Sequence, residues 1–176
     1  MDASTLITDR IESTPIEATL ANEGGRWVLS MHRLLLRPVD AVWPMLVDPE
    51  RVARWSPVVP DRPLTSTGPA TCRQHPTDPG VDAEVLVCDA PTELVHRCGD
   101  QILRWTLEPA EDGTRLALEH TFDKRADDGA LAAGWHLCLA VLDAVLDGHD
   151  VERVVGARAL DYGWEALRAR YESALV

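Results

Sequence analysis

The chain has 176 residues, a length that fits one domain able to bury roughly 70% of its unfolded surface without disulfides. Its formal net charge is −12, from 29 acidic and 17 basic residues. A field of that sign repels phosphate backbones, so no nucleic-acid partner is expected. The sequence shows neither the basic start and apolar run of a signal peptide nor a long apolar stretch, so we expect a cytoplasmic protein without membrane insertion.

The cysteine and histidine spacings point to no metal site. No Cys-x-x-Cys motif occurs, and no histidine pair has the helical spacing of a metalloenzyme. In a reducing compartment the cysteines are expected to be free and to behave as small hydrophobic groups. We therefore predict neither a metal nor another cofactor. The four cysteines are Cys72, Cys88, Cys98 and Cys138.

The first third of the chain predicts a hairpin, a helix and an irregular segment. Residues 1–15 show no sustained hydrophobic period and are expected to be flexible. Two strands are predicted within Ile16–Leu36, around a turn at 22–25. Apolar residues at helical spacing predict a helix over 39–47. Five prolines within 48–69 exclude a long helix or a central strand there.

The middle of the chain predicts antiparallel strands. Three short strands are expected at 70–75, 83–89 and 93–98, each bounded by Pro, Gly or Asp. The clearest hairpin joins 101–108 to 114–122 through a Glu-Asp-Gly turn, and both strands alternate apolar and polar residues. The residues predicted to face inward are Leu103, Trp105, Leu107, Leu116, Leu118, His120 and Phe122.

A long amphipathic helix follows the strands. It is predicted to begin at Asp127 or Asp128 and to run to Asp147, where Gly148 ends it. Leu131, Trp135, Cys138, Leu139 and Leu142 share one apolar arc, whereas His136 and Asp143 fall on the opposite side, which we expect to be solvated. A linker and a last helix from Asp161 complete the chain.

This order of elements predicts the fold class. Strands outnumber helices and no strand–helix–strand alternation occurs, which excludes a parallel doubly wound sheet. We predict an α+β protein in which a curved antiparallel β-sheet wraps around the long C-terminal helix and leaves an internal cavity between them. The expected domain spans 16–150, and residues 151–176 form a helical extension packed on the same domain.

Several short motifs resemble a known superfamily. They include Arg37-Pro38, Asp48-Pro49-Glu50, Arg54-Trp55, the strand Leu103–Pro109 and Gly134-Trp135-His136. The chain resembles the SRPBCC (START-like, helix-grip) superfamily from about Trp27 to Gly148, and within it the branch of the heat-shock-protein ATPase activator homologues. The resemblance implies the helix-grip fold. It names no single chemistry, because the superfamily includes lipid carriers, polyketide cyclases and co-chaperone domains.

His120 is the first candidate for catalysis, because a buried imidazole on the inward face can transfer protons. The alternative is a core histidine satisfied by a neighbouring group. His96 is expected on the wall of the same face. Arg73 is a candidate partner for an anion or carbonyl, or else a surface residue. The predicted ligand-binding set is Trp43, Trp55, Arg73, His96, Leu103, Trp105, Leu118, His120, Trp135, Leu139 and Leu142.

Three functions remain open at this point. The leading hypothesis is binding of a small hydrophobic molecule, polyketide-like or lipid-like, in the internal cavity. The second is an enzyme of the polyketide cyclase or dehydratase kind that uses His120. The third is a protein-interaction module like the co-chaperone domains, which requires an exposed apolar patch. A homodimer is compatible with each of them.

Overall fold

The computed structural model describes residues 2–13, 17–125 and 128–175, so the predicted strand start at Ile16 and the candidate helix cap at Asp127 lie outside the described residues. The helices are α1 (Ala3–Ser13), α2 (Val39–Val42), α3 (Pro44–Val47), α4 (Pro49–Val52), α5 (Asp128–Leu146), a 3₁₀ helix (Gly156–Tyr162) and α6 (Trp164–Ala174). The strands are β1 (Ala18–Glu23), β2 (Arg26–Leu35), β3 (Val59–Pro60), β4 (Thr71–Arg73), β5 (Val81–Asp82), β6 (Val85–Asp89), β7 (Glu93–Cys98), β8 (Gln101–Ala110) and β9 (Gly113–Phe122).

The main sheet has six antiparallel strands in the order β1-β2-β9-β8-β7-β6. Its register places His120 between Leu29 and Leu103, and Leu103 pairs in turn with His96. These four side chains therefore form one row on the inner face, because directly paired residues project to the same side of a sheet. A second, three-stranded sheet, in the order β3-β4-β5, arises within and just after the proline-rich segment.

Helix α5 covers the inner face of the main sheet. Its predicted apolar arc is buried, and the core joins residues of β2, β8, β9 and α5 into one cluster. The predicted α+β architecture, with an antiparallel sheet around a long C-terminal helix, is thus confirmed. By length and composition α5 could cross a membrane, contrary to the sequence-based expectation, but 72% of that stretch is buried inside the protein, as in the core helix of a soluble protein.

Most of the N-terminal stretch for which flexibility is predicted forms a helix in the part that the structure describes. Residues Ala3–Ser13 form α1, whose start is capped by the Asp2 carboxylate accepting from the Thr5 amide at 2.8 Å. Ile7 and Ile11 lie one helical turn apart and are buried in the core. Two isoleucines at this spacing were too few to show a period, yet they are enough to dock a short helix onto α5.

The face of α5 predicted to be solvated is covered as well. His136 is only 3% exposed, and its imidazole contacts the Tyr171 hydroxyl at 2.6 Å and the Ile11 carbonyl oxygen at 3.2 Å. On the same face the Asp143 carboxylate binds Arg33 at 2.8 Å and Arg10 at 3.0 Å. The two terminal helices and β2 supply these partners, so α5 is enclosed on both sides.

Candidate functional site

Tryptophans fill the centre of the space between the sheet and α5. Trp105 meets Trp55 and Trp135 edge to face, with ring centroids 5.7 Å and 5.3 Å apart. Beside them lies a cavity of about 20 Å³, which holds no more than about one water molecule. The predicted central hollow is therefore packed. A larger open space lies toward one end of the gap between the sheet and α5.

A pocket of about 540 Å³ opens beside this cluster, and we call it the C-terminal pocket. It lies between the first half of α5, the β7–β8 end of the main sheet and the chain from Val154 to Trp164. Most of its wall is apolar, and no Asp, Glu, Lys or Arg is among its lining residues in the described part of the chain. The wall residues that carry polar side-chain groups are Gln74, Cys98, Gln101, His120, Trp135, Cys138 and Trp164.

The predicted ligand-binding residues divide between three places. Leu103, His120 and Trp135 line the C-terminal pocket. Three others, Trp55, His96 and Trp105, border the small central cavity, which Leu103 and Trp135 also line. Trp43, Leu118, Leu139 and Leu142 are buried in the core and line neither space. Arg73 is half-buried beside Gly80 and also lines neither, so a ligand role for these five residues has no support from the geometry.

A chain of hydrogen bonds, which we call the Trp135 relay, holds His120. The Trp135 indole N–H donates to His120 Nδ1 at 2.9 Å, and His120 Nε2 lies 2.6 Å from Gln101 Oε1. Burial lowers the pKa of His120 to about 4, with a smaller contribution from His96. The ring is therefore neutral near pH 7. Because indole can only donate, the proton is on Nε2, and both ring nitrogens already have partners.

Trp105, in the neighbouring row of the inner face, forms a second pair of the same kind with His96. The Trp105 indole N–H donates to His96 Nε2 at 3.2 Å, and His96 Nδ1 lies 3.0 Å from the Arg97 carbonyl oxygen. Burial lowers the pKa of His96, so this ring is also neutral. The two inward histidines thus accept from the buried indole N–H groups of Trp105 and Trp135, which would otherwise be unpaired.

The outer wall of the pocket is formed by the chain between α5 and α6, for which the sequence pattern predicts a linker. Arg153 attaches this segment to the proline-rich loop by donating to the Ser56 carbonyl at 3.1 Å and the Pro57 carbonyl at 3.3 Å, and it also donates to the Gln74 carbonyl. The available signal was the apolar run around Val154 and Val155, which is unusual for a solvated linker.

All four cysteines are free thiols, two buried and two half-buried. Cys98 lines the C-terminal pocket, and Cys72 lines the central cavity. The interaction between the two thiols lowers the pKa of Cys98 and raises that of Cys72. Within residues 2–13, 17–125 and 128–175, no group of three or more His, Cys, Asp or Glu side chains is placed to hold a metal ion.

Comparison with known proteins agrees with this architecture. Residues 37–147 match the family model described as Activator of Hsp90 ATPase homolog 1-like protein. No match is found among the curated proteins.

Solved structures with the same fold have low sequence identity. CalU16 from Micromonospora echinospora is 18% identical, with a TM-score of 0.67 over 92% of this chain and 97% of that protein. EF2215 from Enterococcus faecalis, a conserved protein of unknown function, is 13% identical, with a TM-score of 0.69 over 97% of this chain and 94% of that one. DynU16, a protein in the dynemicin biosynthetic locus, is 24% identical, with a TM-score of 0.60 over 68% of this chain and 47% of that one.

Proposed function

This chain belongs to the Activator of Hsp90 ATPase homolog 1-like family, within the SRPBCC superfamily that its motifs resemble, and we propose that it binds a small, uncharged and largely apolar molecule in the C-terminal pocket. The observation that carries the proposal is an uncharged, mostly apolar pocket of about 540 Å³. Small-molecule sites are typically about 300–1,000 Å³ and combine apolar walls with a few polar groups. The location of DynU16 in a biosynthetic locus supports a role close to small-molecule chemistry.

The charge of the ligand follows from its surroundings. The described wall offers no cation to pair with an anionic ligand and no carboxylate to pair with a cationic one. Transfer of an unpaired charge into such a wall is costly. The net charge of −12 adds long-range repulsion of anions. A neutral molecule is therefore favoured.

Gly134 provides a direct test, because it lines the pocket within α5 and a Cβ added there meets no atom within 4 Å. Gly134→Ala keeps the pocket open and should raise helix stability by roughly 1 kcal/mol. Gly134→Phe projects a ring into the pocket. With the neutral fluorophore N-phenyl-1-naphthylamine as probe, we expect saturable one-to-one binding to the wild type and to Gly134→Ala, and binding at least about tenfold weaker in Gly134→Phe.

Two results would contradict the proposal. The first is a lack of saturable uptake by the wild type. The second is equal affinity in all three proteins, which would place the probe outside the pocket. Thermal unfolding of each variant separates a blocked pocket from a damaged fold.

The two alternatives have less support. A general base needs a ring nitrogen free to reach its substrate, whereas both nitrogens of His120 are engaged in the Trp135 relay. A protein-interaction face needs a continuous apolar patch. The large exposed apolar side chains of the described residues are instead divided between the β2 end (Leu34, Leu36), β5 (Val81) and the 3₁₀ helix (Leu160).

A further inference from the structure

The Trp135 relay fixes the orientation of the Gln101 side-chain amide as well as the tautomer of His120. Indole N–H is only a donor, so His120 Nδ1 must accept, and the proton of the neutral ring is on Nε2. A protonated Nε2 at 2.6 Å requires an acceptor, which is the side-chain oxygen of Gln101. The Gln101 amide is therefore oriented with its oxygen toward His120 and its nitrogen away from it.

With its oxygen engaged, the Gln101 side chain presents its NH₂ group as a hydrogen-bond donor. Gln101 lines the C-terminal pocket, and no described residue accepts a hydrogen bond from this nitrogen. Gln101 is half-buried, so solvent water can accept from this group in the ligand-free protein. A ligand that displaces this water without supplying an acceptor leaves the donor unpaired, which weakens its binding.

We infer that the ligand of the C-terminal pocket carries a hydrogen-bond acceptor, in its simplest form a carbonyl oxygen, that binds the Gln101 amide. The ligand class is therefore a neutral apolar molecule with a ketone, ester or amide oxygen rather than a plain hydrocarbon. This inference rests on the proposed function and makes Gln101 a specificity-determining residue. Trp135 and His120 act through it as positioning residues.

A pair of probes of equal size tests the inference. The two probes are 2-acetylnaphthalene, which has a carbonyl, and 2-isopropylnaphthalene, which lacks one; displacement of N-phenyl-1-naphthylamine measures their affinities. The informative quantity is the ratio of the two dissociation constants in each protein, because the different hydration of the free probes cancels when variants are compared.

Gln101→Leu removes the donor, and Gln101→Glu removes it while keeping an oxygen to accept from His120. We expect the preference for the ketone to fall about 3- to 10-fold in Gln101→Leu, and at least as far in Gln101→Glu. Trp105→Phe is the matched control, because it removes the other indole–histidine hydrogen bond and does not line this pocket. Its preference should match the wild type within about twofold.

The outcomes separate the two proposals. If the wild type binds neither naphthalene, the proposed function fails. If it binds both and the preference is unchanged in Gln101→Leu and Gln101→Glu, the inference alone is overturned. A preference lost in Gln74→Leu instead would assign the donor to the other amide of the wall and would also overturn it.

A measurement on the wild type alone avoids any effect of substitution on folding. In 2-acetylnaphthalene labelled with ¹³C at the carbonyl, a hydrogen bond to the oxygen moves the carbonyl resonance downfield. We expect the bound probe to show this shift relative to the probe in hydrocarbon solvent. A bound resonance at the hydrocarbon position would overturn the inference.

Discussion

Replacing His120 should reduce the acid sensitivity of the fold. His120 is 4% exposed, and burial lowers the pKa of its ring to about 4 from the ordinary 6.5. The unfolded chain therefore takes up a proton at this position as the pH falls through 6.5, whereas the native protein resists protonation until about pH 4. Since the unfolded state binds more protons in that window, the free energy of unfolding decreases as the pH is lowered.

The size of the effect follows from the width of the window. For each pH unit between the two pKa values, the free energy of unfolding falls by at most about 1.4 kcal/mol. Lowering the pH from 7 to 5 should thus decrease the free energy of unfolding by about 2 kcal/mol through His120 alone. In His120→Gln this contribution is absent, because an amide does not ionise. The other buried histidines, His96 and His136, whose pKa values burial also lowers, titrate in both proteins and cancel in the comparison.

Urea unfolding followed by tryptophan fluorescence at pH 7 and pH 5 measures the change. We expect the loss between these two pH values to be about 2 kcal/mol smaller in His120→Gln than in the wild type. His149→Gln replaces an exposed histidine and should behave as the wild type does. An equal loss in the wild type and in His120→Gln would refute the view that His120 is held neutral by burial.

Three further predictions concern stability and local opening. Ile11→Ala should lower the free energy of unfolding by about 2–4 kcal/mol, since it removes a buried contact between α1 and the core. The control Glu12→Ala replaces an exposed side chain and should change this free energy by less than about 0.5 kcal/mol. Similar values for both variants would mean that α1 is not docked. Trp55→Ala removes a fully buried ring and its hydrogen bond to the Met45 carbonyl, so a loss of about 3–5 kcal/mol in chemical denaturation is expected, and a loss below about 1 kcal/mol would argue against a packed centre. Arg153→Met should speed amide hydrogen exchange of residues 154–160 but not of α5, and unchanged exchange would show that Arg153 does not hold the pocket wall.

The alternating strands and the long helix were predictable because their patterns are local. Alternation over 101–108 and 114–122 corresponds to β8 and β9, and it correctly placed His120 on the inner face. The apolar arc of 128–147 corresponds to α5. In a strand or helix with one buried face, apolar residues recur at the spacing of that face. The sequence of that segment alone therefore shows that one of its sides is covered.

What covers a face, and how much space is left beneath it, are not local properties. The histidine of α5 looked solvated because its partners, Tyr171 and the Ile11 carbonyl, come from opposite ends of the chain. Trp55, Trp105 and Trp135 fill the centre of the predicted hollow only because the fold brings three distant segments together.

The sequence by itself therefore determined the long strands, the long helix, their order and the apolar side that each turns to the core, but not α1 or the covering of the second face of α5. Only the tertiary structure decided that the pocket lies beside the C-terminal segment and that Gln101, whose oxygen meets His120, is part of its wall. The physical reason is that a cavity is the volume remaining after all neighbouring side chains are packed, which depends on contacts between residues far apart in the chain.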